Sequence, residues 1–385
     1  MDFTKIKVLL TDGGARQTLT LLHGLKELGC YVGVLCTTKL DICHVSKLPD
    51  EKILDPRVAA DGEEYISFLI ETITEKGYDI LLPVAEMTTD KITKHEEELK
   101  KHVKLACAPR ESYLNAFDKQ RTFELAAQTN IPRPLTRRDG QSVEEYLRTV
   151  SFPLIIKPRN GVGSIGFHKF ESESDFWSYI AEKNINLDDY VLQEFVHYKD
   201  RLGVVVFMDQ HGKACMAYAD EILRWYPIDA GTATAIRSID NPEMIQHAVR
   251  LLQAMNWHGV AALSYMVDVE TGEPKLCEIN GRIPASIKLS WQLGYNVAGL
   301  LVQMACDENI EPYPANTKAG VTTRHFQADM LWFLKSPDRF RCKPSWFSWK
   351  NARDVVLWKG DIKPWFAYTF RKVLTFRESM NKRRH

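Results

Sequence analysis

The stretch "LIIKPRNGVGSIGF", residues 154–167, places a lysine shortly before three glycines. An apolar run leads into Lys157, so we expect this residue near the end of a strand and the glycines in the loop that follows. In a P-loop the lysine follows the glycines and starts a helix, so this order argues against a P-loop. Glycines allow backbone N–H groups to close over phosphates, and Ser164 could add a hydroxyl. An ordinary hairpin turn is the alternative.

A second motif, "KLCEINGR" at residues 275–282, suits a divalent cation. Glu278 and Asn280 alternate with apolar neighbours, so they are predicted to share one face of a strand. A carboxylate and an amide supply the hard oxygen ligands that Mg²⁺ prefers. Arg282 lies on the same side, where it could neutralise negative charge that develops on a phosphate. The alternative is that Glu278 and Asn280 are ordinary solvent-facing residues.

Strands and helices alternate over residues 1 to about 112, which predicts a small parallel α/β unit. The run "KIKVLLTDGG" is typical of a buried strand that ends in a glycine turn, and "RQTLTLLHGLKELG" predicts a helix that ends near Gly29. Neither a GxGxxG pattern nor an acidic residue after the second strand is present, which disfavours a nicotinamide site. Parallel sheets bind ligands at the carboxyl ends of their strands, which carry Asp12, Gly13, Gly14, Ala85 and Glu86.

The next 200 residues or so show an α+β pattern with antiparallel strands. Asp118 is expected to cap a helix that ends before the prolines of "NIPRP". Two hairpins are predicted to turn at "DQHG" and "ETGEP", and "RWYPIDAGTATAIR" between them is predicted to be a polar loop. From about residue 316 the composition becomes aromatic, which indicates a small C-terminal subdomain that packs on the body.

Charge and cysteine usage narrow the function classes. Lys plus Arg and Asp plus Glu each number 50 in 385 residues, so the net charge of zero gives no basic field for nucleic acid. No apolar run is long enough for a membrane span. The eight cysteines lack CxxC spacing, which disfavours zinc and disulfides and favours a cytoplasmic location. The basic C-terminus, "FRKVLTFRESMNKRRH", is interpreted as a solvated tail, with a membrane-surface or anionic-partner patch as the alternative.

The motifs follow one another in a fixed order over roughly 165 residues: Lys119, Lys157, the glycine loop, "QEFV" and "EINGR". This order resembles the ATP-grasp superfamily over residues 1 to about 315. The subgroup most similar is the uncharacterised carboxylate–amine ligases, which resemble carbamoyl-phosphate synthase and D-alanine–D-alanine ligase in build. The stretches that carry this likeness are "LRWYPIDAGTAT", "EINGRIPASI" and "DVVLWKGDIKPWFAY".

The resemblance implies an α/β and α+β fold class with four parts. A pre-ATP-grasp parallel α/β domain would span residues 1–112. One ATP-grasp lobe, with the glycine flap, would span 113–190, and the other, with the metal strand and the substrate loop, 191–315. The aromatic subdomain and basic tail would occupy 316–385.

The resemblance also implies roles for the residues that bind ATP. Lys119 and Lys157 are similar to the two lysines that contact the phosphates, and the glycine loop is similar to the flap above them. "QEFV" resembles the hinge between the lobes, where the backbone at 194 and 196 pairs with the adenine edge. The implied nucleotide contacts are Lys119, Lys157, Gly161, Gly163, Ser164, Gln193, Glu194, Val196 and, for the ribose hydroxyls, Asp200.

Arg224 and Arg282 resemble the family's catalytic cations. Arg224 corresponds to the basic residue of the substrate loop that reaches the γ-phosphate or the acyl phosphate, and Arg282 to the arginine beside the metal ligands Glu278 and Asn280. The chain departs from the family at Ser264, where a further acidic metal ligand usually stands. Asp268 has the same strand parity and could supply that carboxylate if the strand is bulged or shifted; otherwise it is a surface residue near a turn.

The implied activity is an ATP- and Mg²⁺-dependent ligation, with Mn²⁺ as an alternative metal. A carboxylate would attack the γ-phosphate to give an acyl phosphate, and an amine would then displace phosphate to give an amide. Two alternatives stay open: phosphoryl transfer without ligation, and a nucleotide-binding pseudoenzyme. The expected partners are a small-molecule carboxylate and an amine, without nucleic acid or a membrane span, and a homodimer is an open alternative.

Overall fold

The computed structural model describes residues 1–54, 62–161, 166–228, 231–314 and 318–374. Two of the predicted features lie outside the described residues, namely Gly163 and Ser164 of the glycine loop and the basic tail from residue 375 onward. The described chain forms three sheets, of five, three and seven strands.

The five-stranded sheet is parallel and is formed by the first part of the chain. Its strands are β1 (Lys7–Leu10), β2 (Tyr31–Cys36), β3 (Glu51–Leu54), β4 (Ile80–Leu82) and β5 (Lys104–Leu105), in the order β3-β2-β1-β4-β5. The helices of this region are α1 (Arg16–Glu27), α2 (Ile42–Val45), α3 (Glu63–Lys76), α4 (Glu86–Lys94), α5 (Glu96–Leu99) and α6 (Arg110–Phe117). The apolar residues of β1 and β2 are buried because helices cover both faces of the sheet. The predicted parallel α/β unit is confirmed.

The carboxyl ends of β1 and β4 lie side by side in this sheet. Asp12 follows β1 in the left-handed region, with φ 57°. Its carboxylate accepts hydrogen bonds from the Ala85 backbone N–H at 2.9 Å and from the Thr88 hydroxyl at 2.8 Å. Asp12 therefore fixes the turn after β4 at which Glu86 begins α4.

The three-stranded sheet contains the two strands that flank the glycine loop in the chain. Its strands are β6 (Leu154–Pro158), β7 (His168–Phe170) and β8 (Tyr190–Glu194), in the antiparallel order β7-β6-β8, and its helices are α7 (Lys119–Gln128), α8 (Val143–Leu147) and α9 (Glu173–Lys183). The loop joins β6 to β7. As predicted, Asp118 caps α7, and its carboxylate accepts from the backbone N–H of Gln120 at 2.9 Å.

The seven-stranded sheet is antiparallel except for its last pair. Its strands are β9 (Tyr198–Met208), β10 (Ala214–Tyr226), β11 (Thr232–Ile239), β12 (Gly259–Asp268), β13 (Pro274–Asn280), β14 (Thr322–Arg324) and β15 (Ala352–Asp354), in the order β13-β12-β9-β10-β11-β14-β15. The hairpins predicted at "DQHG" and "ETGEP" are confirmed.

The prediction of a polar loop at residues 224–237 is wrong. Strand β10 continues to Tyr226, and β11 begins at Thr232. The strand was missed because β11 starts with alternating threonine and alanine, whose small side chains give a weak apolar period. Pairing with β10 and β14 on its two sides nevertheless holds it in the sheet.

The two faces of the seven-stranded sheet are covered by different parts of the chain. One face packs on α6, α7 and α10 (Pro242–Ala254). The other face packs, over part of its length, on α1 and on α11 (Lys288–Gln292) and α12 (Val297–Ala305). This second face carries the cleft residues described below. The predicted combination of a parallel α/β unit with a two-lobed α+β fold is confirmed.

The C-terminal region adds β14 and β15 to the edge of this sheet, together with α13 (Phe326–Lys335) and α14 (Lys363–Leu374). Trp332, Trp346 and Trp358 are buried there, whereas Trp349 is 43% exposed. Within the described ranges, no helix has the length and apolar character needed to cross a membrane.

Candidate functional site

Lys157 connects the two lobes that the sequence predicted. Its side chain extends from β6, and its Nζ donates to the backbone carbonyl of Cys277 on β13 at 3.2 Å. The ammonium also lies 4.6 Å from the centre of the Phe123 ring. Desolvation lowers the pKa of Lys157 to about 8, although Cys277 and Glu278 act in the opposite direction. Because the ammonium forms no ion pair with any described side chain, it suits an anionic ligand.

Lys119 is tied to the start of the glycine loop. It is the first residue of α7, and its Nζ donates to the carbonyl of Gly161 at 3.0 Å. Gly161 has φ 129°, a backbone conformation that residues other than glycine rarely adopt. Desolvation lowers the pKa of Lys119, and the nearby carboxylates of Glu278 and Glu86 raise it. The two predicted phosphate-binding lysines thus share the electrostatic field of one carboxylate, Glu278.

Glu278, Asn280 and Arg282 form a chain of contacts at the end of β13. Asn280 Nδ2 donates to Glu278 Oε1 at 3.3 Å, and Arg282 Nη2 donates to Asn280 Oδ1 at 2.9 Å. Glu278 is exposed. The predicted acid–amide pair and its arginine are therefore together, on the strand that Lys157 contacts.

Glu86 extends this chain into the N-terminal unit. Its Oε2 lies 3.7 Å from Arg282 Nε, and burial raises the pKa of its carboxyl, with Arg282 acting against that shift. The sequence placed Glu86 at the ligand side of the parallel sheet but assigned it no partner. The position of Glu86 directly after β4 predicted that it lies on the ligand side. Its contact with Arg282 was not predictable, because the two residues are almost 200 positions apart.

The hinge residues lie at the end of β8. Gln193 is 1% exposed, and its Nε2 donates to the Thr136 hydroxyl at 2.8 Å. Glu194 accepts from Lys275 Nζ at 3.0 Å, and Val196 is buried. A cavity of about 550 Å³ opens beside the hinge, lined by Phe195, His197, Tyr198, Val269 and Glu270.

The structure keeps three of the predicted residues apart from this cluster. Asp200 is exposed on β9 and pairs with Val267, which lies three residues along β12 from Ser264. Asp268 lies four residues along β12 from Ser264, a distance of about 13 Å. Its carboxylate is bound to Lys275 Nζ at 2.8 Å and accepts from the Glu270 backbone N–H at 2.8 Å, so the described structure does not bring it to Glu278.

Arg224 is the third such residue. It is 2% exposed, and its Nε and Nη2 donate to Asp329 at 2.7 and 3.0 Å. Arg324 binds the same carboxylate. Arg224 was predicted to reach a phosphate, but it instead holds α13 against β10 in the interior. Sequence reasoning could not anticipate this, because Asp329 is 105 residues away.

The donor set at Glu278 fits Mg²⁺. Among the described residues, no three histidine, cysteine, aspartate or glutamate side chains are grouped as a metal site. Such a group is not required, because proteins commonly hold Mg²⁺ with one or two carboxylates together with substrate phosphates. Glu278 and Asn280 offer hard oxygens, and the Glu278 carboxylate raises the pKa of both Lys119 and Lys157 against the effect of burial.

Comparisons with known proteins agree with this architecture. Residues 116–286 match the family of ATP-grasp domains. The mitochondrial α-subunit of methylcrotonoyl-CoA carboxylase from Rattus norvegicus is 25% identical over 141 residues, which are 34% of this chain and 20% of that protein. The chain therefore spans about a fifth of the length of the curated relatives it matches.

Two solved structures are similar over most of the chain. The biotin carboxylase–βγ-ATP complex from Campylobacter jejuni has a TM-score of 0.68 and 17% identity, covering 84% of this chain and 75% of that one. The biotin carboxylase domain of the Hydrogenobacter thermophilus 2-oxoglutarate carboxylase, a dimer in complex with MgADP, ADP and bicarbonate, has a TM-score of 0.67 and 15% identity, covering 82% and 73%. These similarities confirm the fold that the order of motifs predicted.

Proposed function

We propose that this chain, whose residues 116–286 form an ATP-grasp domain, is an ATP- and Mg²⁺-dependent ligase that joins a carboxylate to an amine. A carboxylate oxygen attacks the γ-phosphorus of ATP, and ADP leaves. The amine nitrogen then attacks the acyl carbon, inorganic phosphate leaves, and the nitrogen loses a proton. The product is an amide.

The contact between Lys157 and the Cys277 carbonyl carries this proposal. It brings the cations of one lobe, Lys119 and Lys157, against the strand of the other lobe that bears Glu278 and Asn280. A triphosphate needs cations on one side and a metal-binding face on the other. Lys157 forms no ion pair with a described residue, so a phosphate would supply the close negative charge that the ammonium lacks.

Little covalent chemistry is required of the protein, because phosphoryl and acyl transfer depend mainly on positioning and charge. Arg282 is already held by Asn280 and lies near Glu86, so its guanidinium stands beside the metal-binding pair to offset charge on a transferring phosphate. Mg²⁺, when bound by Glu278 and Asn280, would neutralise charge on the ATP phosphates. The glycine loop, if it closes over the phosphates as the family resemblance implies, would exclude water that could hydrolyse an acyl phosphate.

A screen for ADP release identifies the substrates. The purified chain is incubated with MgATP and a matrix of carboxylates and amines. Bicarbonate is included because one similar structure contains it together with MgADP. Ligation predicts that ADP release over many turnovers requires both a carboxylate and an amine, and that the product has a mass equal to their sum minus water.

Two variants serve as controls for that screen. Lys157→Ala and Glu278→Gln should each abolish ADP release, because one removes a phosphate-binding cation and the other a metal ligand. Turnover at the wild-type level in either variant would show that the site is wrongly assigned. ADP release that needs a carboxylate but no amine would instead favour phosphoryl transfer without ligation.

A nucleotide-binding pseudoenzyme is the second candidate, and Ser264 favours it. This serine pairs directly with Glu278 across β12 and β13, at the position where the family usually carries an acid. If the chain binds ATP with a stoichiometry of one and releases no ADP across the whole matrix, the pseudoenzyme explains the data better than the ligase.

A further inference from the structure

We propose that Asp220 supplies the divalent-cation site with the second carboxylate that Ser264 does not provide. The inference rests on the proposed function, because it concerns the cation that accompanies ATP. Asp220 is on β10, two strands away from Ser264, and no motif in the sequence marks it.

The register of the sheet places Asp220 in line with the metal strand. Glu278 pairs with Ser264, Ser264 pairs with Gly203, and Gly203 pairs with Asp220. Side chains of directly paired residues lie on the same face of a sheet, with neighbouring Cβ atoms about 5 Å apart. The four residues therefore form one row across β13, β12, β9 and β10, with a carboxylate at each end.

The two middle residues of this row leave space between the carboxylates. Gly203 has no side chain, and a Cβ built on it would lie 2.8 Å from Asp220 Oδ1. The carboxylate of Asp220 thus leans over the backbone of Gly203, toward β12. From there, Ser264 is one strand spacing away, or about 4.8 Å. The short serine side chain leaves the space above it open to a cation between Glu278 and Asp220.

Asp220 lacks a partner for its charge among the residues that the structure describes. It is 5% exposed, and its carboxylate accepts no hydrogen bond and forms no ion pair with a described group. Its neighbour Glu221 is on the opposite face, where it accepts a hydrogen bond from Arg237 at 2.6 Å. Burial raises the pKa of Asp220 to about 7. An unpaired, buried carboxylate is costly unless a ligand compensates it, and a divalent cation would do so.

The other acid considered for this role does not meet these conditions. Asp268 is already neutralised by Lys275 and lies about 13 Å along β12 from Ser264. Asp220 is closer to Ser264, directed toward it and unpaired. Two carboxylates, an amide oxygen and phosphate oxygens would complete a ligand set that is ordinary for Mg²⁺ or Mn²⁺.

Mn²⁺ binding tests the inference without requiring catalysis. Free Mn²⁺ is measured by electron paramagnetic resonance as it is titrated into the full chain with a non-hydrolysable ATP analogue. Asp220→Asn should weaken Mn²⁺ binding by at least about tenfold, because it removes a charged ligand and even the loss of an outer-shell partner costs that much at a metal site. Glu221→Gln is the matched control and should change Mn²⁺ affinity by less than about twofold, since its ion pair is half-exposed.

Two further variants keep the result interpretable if Asp220→Asn folds poorly. Gly203→Ala places a methyl group where the Asp220 carboxylate lies, so it should also weaken Mn²⁺ binding while the acid is retained. Combining Asp220→Asn with Ser264→Asp restores a carboxylate next to Glu278 and should recover most of the lost affinity. Thermal melting of each variant checks the fold.

Nucleotide affinity without metal separates this inference from the proposed function. A fluorescent ATP analogue should bind wild type and Asp220→Asn equally well in the presence of EDTA. If wild type binds Mn²⁺ with nucleotide and Asp220→Asn binds Mn²⁺ just as tightly, the role of Asp220 is refuted and the proposed function stands. If wild type binds no nucleotide at all, both are refuted.

Discussion

Lys157 Nζ donates to the backbone carbonyl of Cys277 at 3.2 Å, which places the ammonium one residue away from the carboxylate-bearing Glu278. The two residues belong to different sheets and are 120 positions apart. Because of this contact, the charge of Glu278 on one lobe influences the pKa of Lys157 on the other. Neighbouring charges then decide the protonation state of each group, and pH becomes a probe of the site.

ATP affinity should depend on pH through Lys157. Its pKa in the free protein is about 8, below the usual range for lysine, so the ammonium is largely present at pH 7 and is lost as the pH rises through 8. A triphosphate binds the ammonium form of Lys157. Above pH 8, binding therefore requires that Lys157 first takes up a proton, which weakens the apparent affinity. The affinity should therefore be nearly constant below pH 7 and fall by up to about tenfold per unit above pH 8. Isothermal titration calorimetry from pH 6.5 to 9.5 measures the ATP affinity at each pH.

Two methionine variants assign the effect to one lysine. Lys157→Met should bind ATP more weakly and lose the inflection near pH 8, whereas Lys119→Met should bind more weakly and keep it. An inflection that persists near pH 8 in Lys157→Met would mean that a different group titrates.

Glu86→Gln should impair turnover more than ATP binding. The carboxylate of Glu86 lies 3.7 Å from Arg282 Nε, and burial raises the pKa of Glu86 above its ordinary value. As the pH falls through that raised pKa, Glu86 becomes neutral and Arg282 loses its partner, so wild-type kcat should fall on the acid side. The glutamine variant should show a kcat lower by about ten- to a hundredfold, the cost of an outer-shell partner, without that acid limb.

The KM for ATP in Glu86→Gln should change by less than about threefold, because the residue that Glu86 contacts is Arg282, whose predicted role is at the transferring phosphate rather than in holding ATP. Glu98→Gln is a suitable control, since Glu98 on α5 pairs with Lys101 and His102, both of which are exposed just beyond the helix. Equal losses in the two variants would contradict a role for Glu86 in positioning Arg282.

Local sequence patterns were sufficient to predict those strands, helices and turns whose structure depends only on residues close together in the chain. The apolar run of β1, the helix after it, the cap at Asp118 and the two hairpin turns all follow from residues close together in the chain. Strands β3 and β5 carried no such signal because they are short and half polar, and only pairing with β2 and β4 makes them strands. The order of the motifs identified the ATP-grasp fold because each motif needs only a few neighbouring residues.

Contacts between distant segments were not predictable from one sequence. Arg224 looked like a phosphate ligand in a loop, and its partner Asp329 became visible only in the folded chain. No local pattern predicted a role for Asp220, because its environment depends on Gly203, which is 17 positions earlier and on another strand. Lys119 and Lys157, whose pKa values Glu278 raises, were each predicted from a local motif. The lowering of their pKa values was not predictable, because it arises from burial, and burial depends on how the lobes pack.

Arg224→Met should destabilise the fold rather than only remove a substrate contact. Arg224 and Arg324 share the buried carboxylate of Asp329, which is 0% exposed. Asp329 would keep Arg324 and the Thr234 hydroxyl, so the loss should stay below the about 3–5 kcal/mol that a fully unpartnered buried charge costs, and urea unfolding would measure it. Arg237→Met is the matched control, because its pair with Glu221 is half-exposed and should be worth about 1 kcal/mol or less. Unchanged stability with lost turnover in Arg224→Met would return Arg224 to the substrate site.

Asp118→Ala should loosen the base of the glycine loop. The Asp118 carboxylate caps α7 and also accepts from Arg159 Nη2 at 2.8 Å, while the Arg159 carbonyl accepts from the Lys119 backbone N–H at 3.0 Å. The alanine variant should lose about 1 kcal/mol of stability from the cap and bind ATP more weakly, because Lys119 and Gly161 are no longer held in place. Asp139→Asn provides the comparison: Asp139 binds the same arginine at 3.0 Å but is 51% exposed, so its loss should leave stability and ATP affinity almost unchanged. If both variants behaved alike, Arg159 would be held by its exposed contact and the cap would have no part in positioning Lys119.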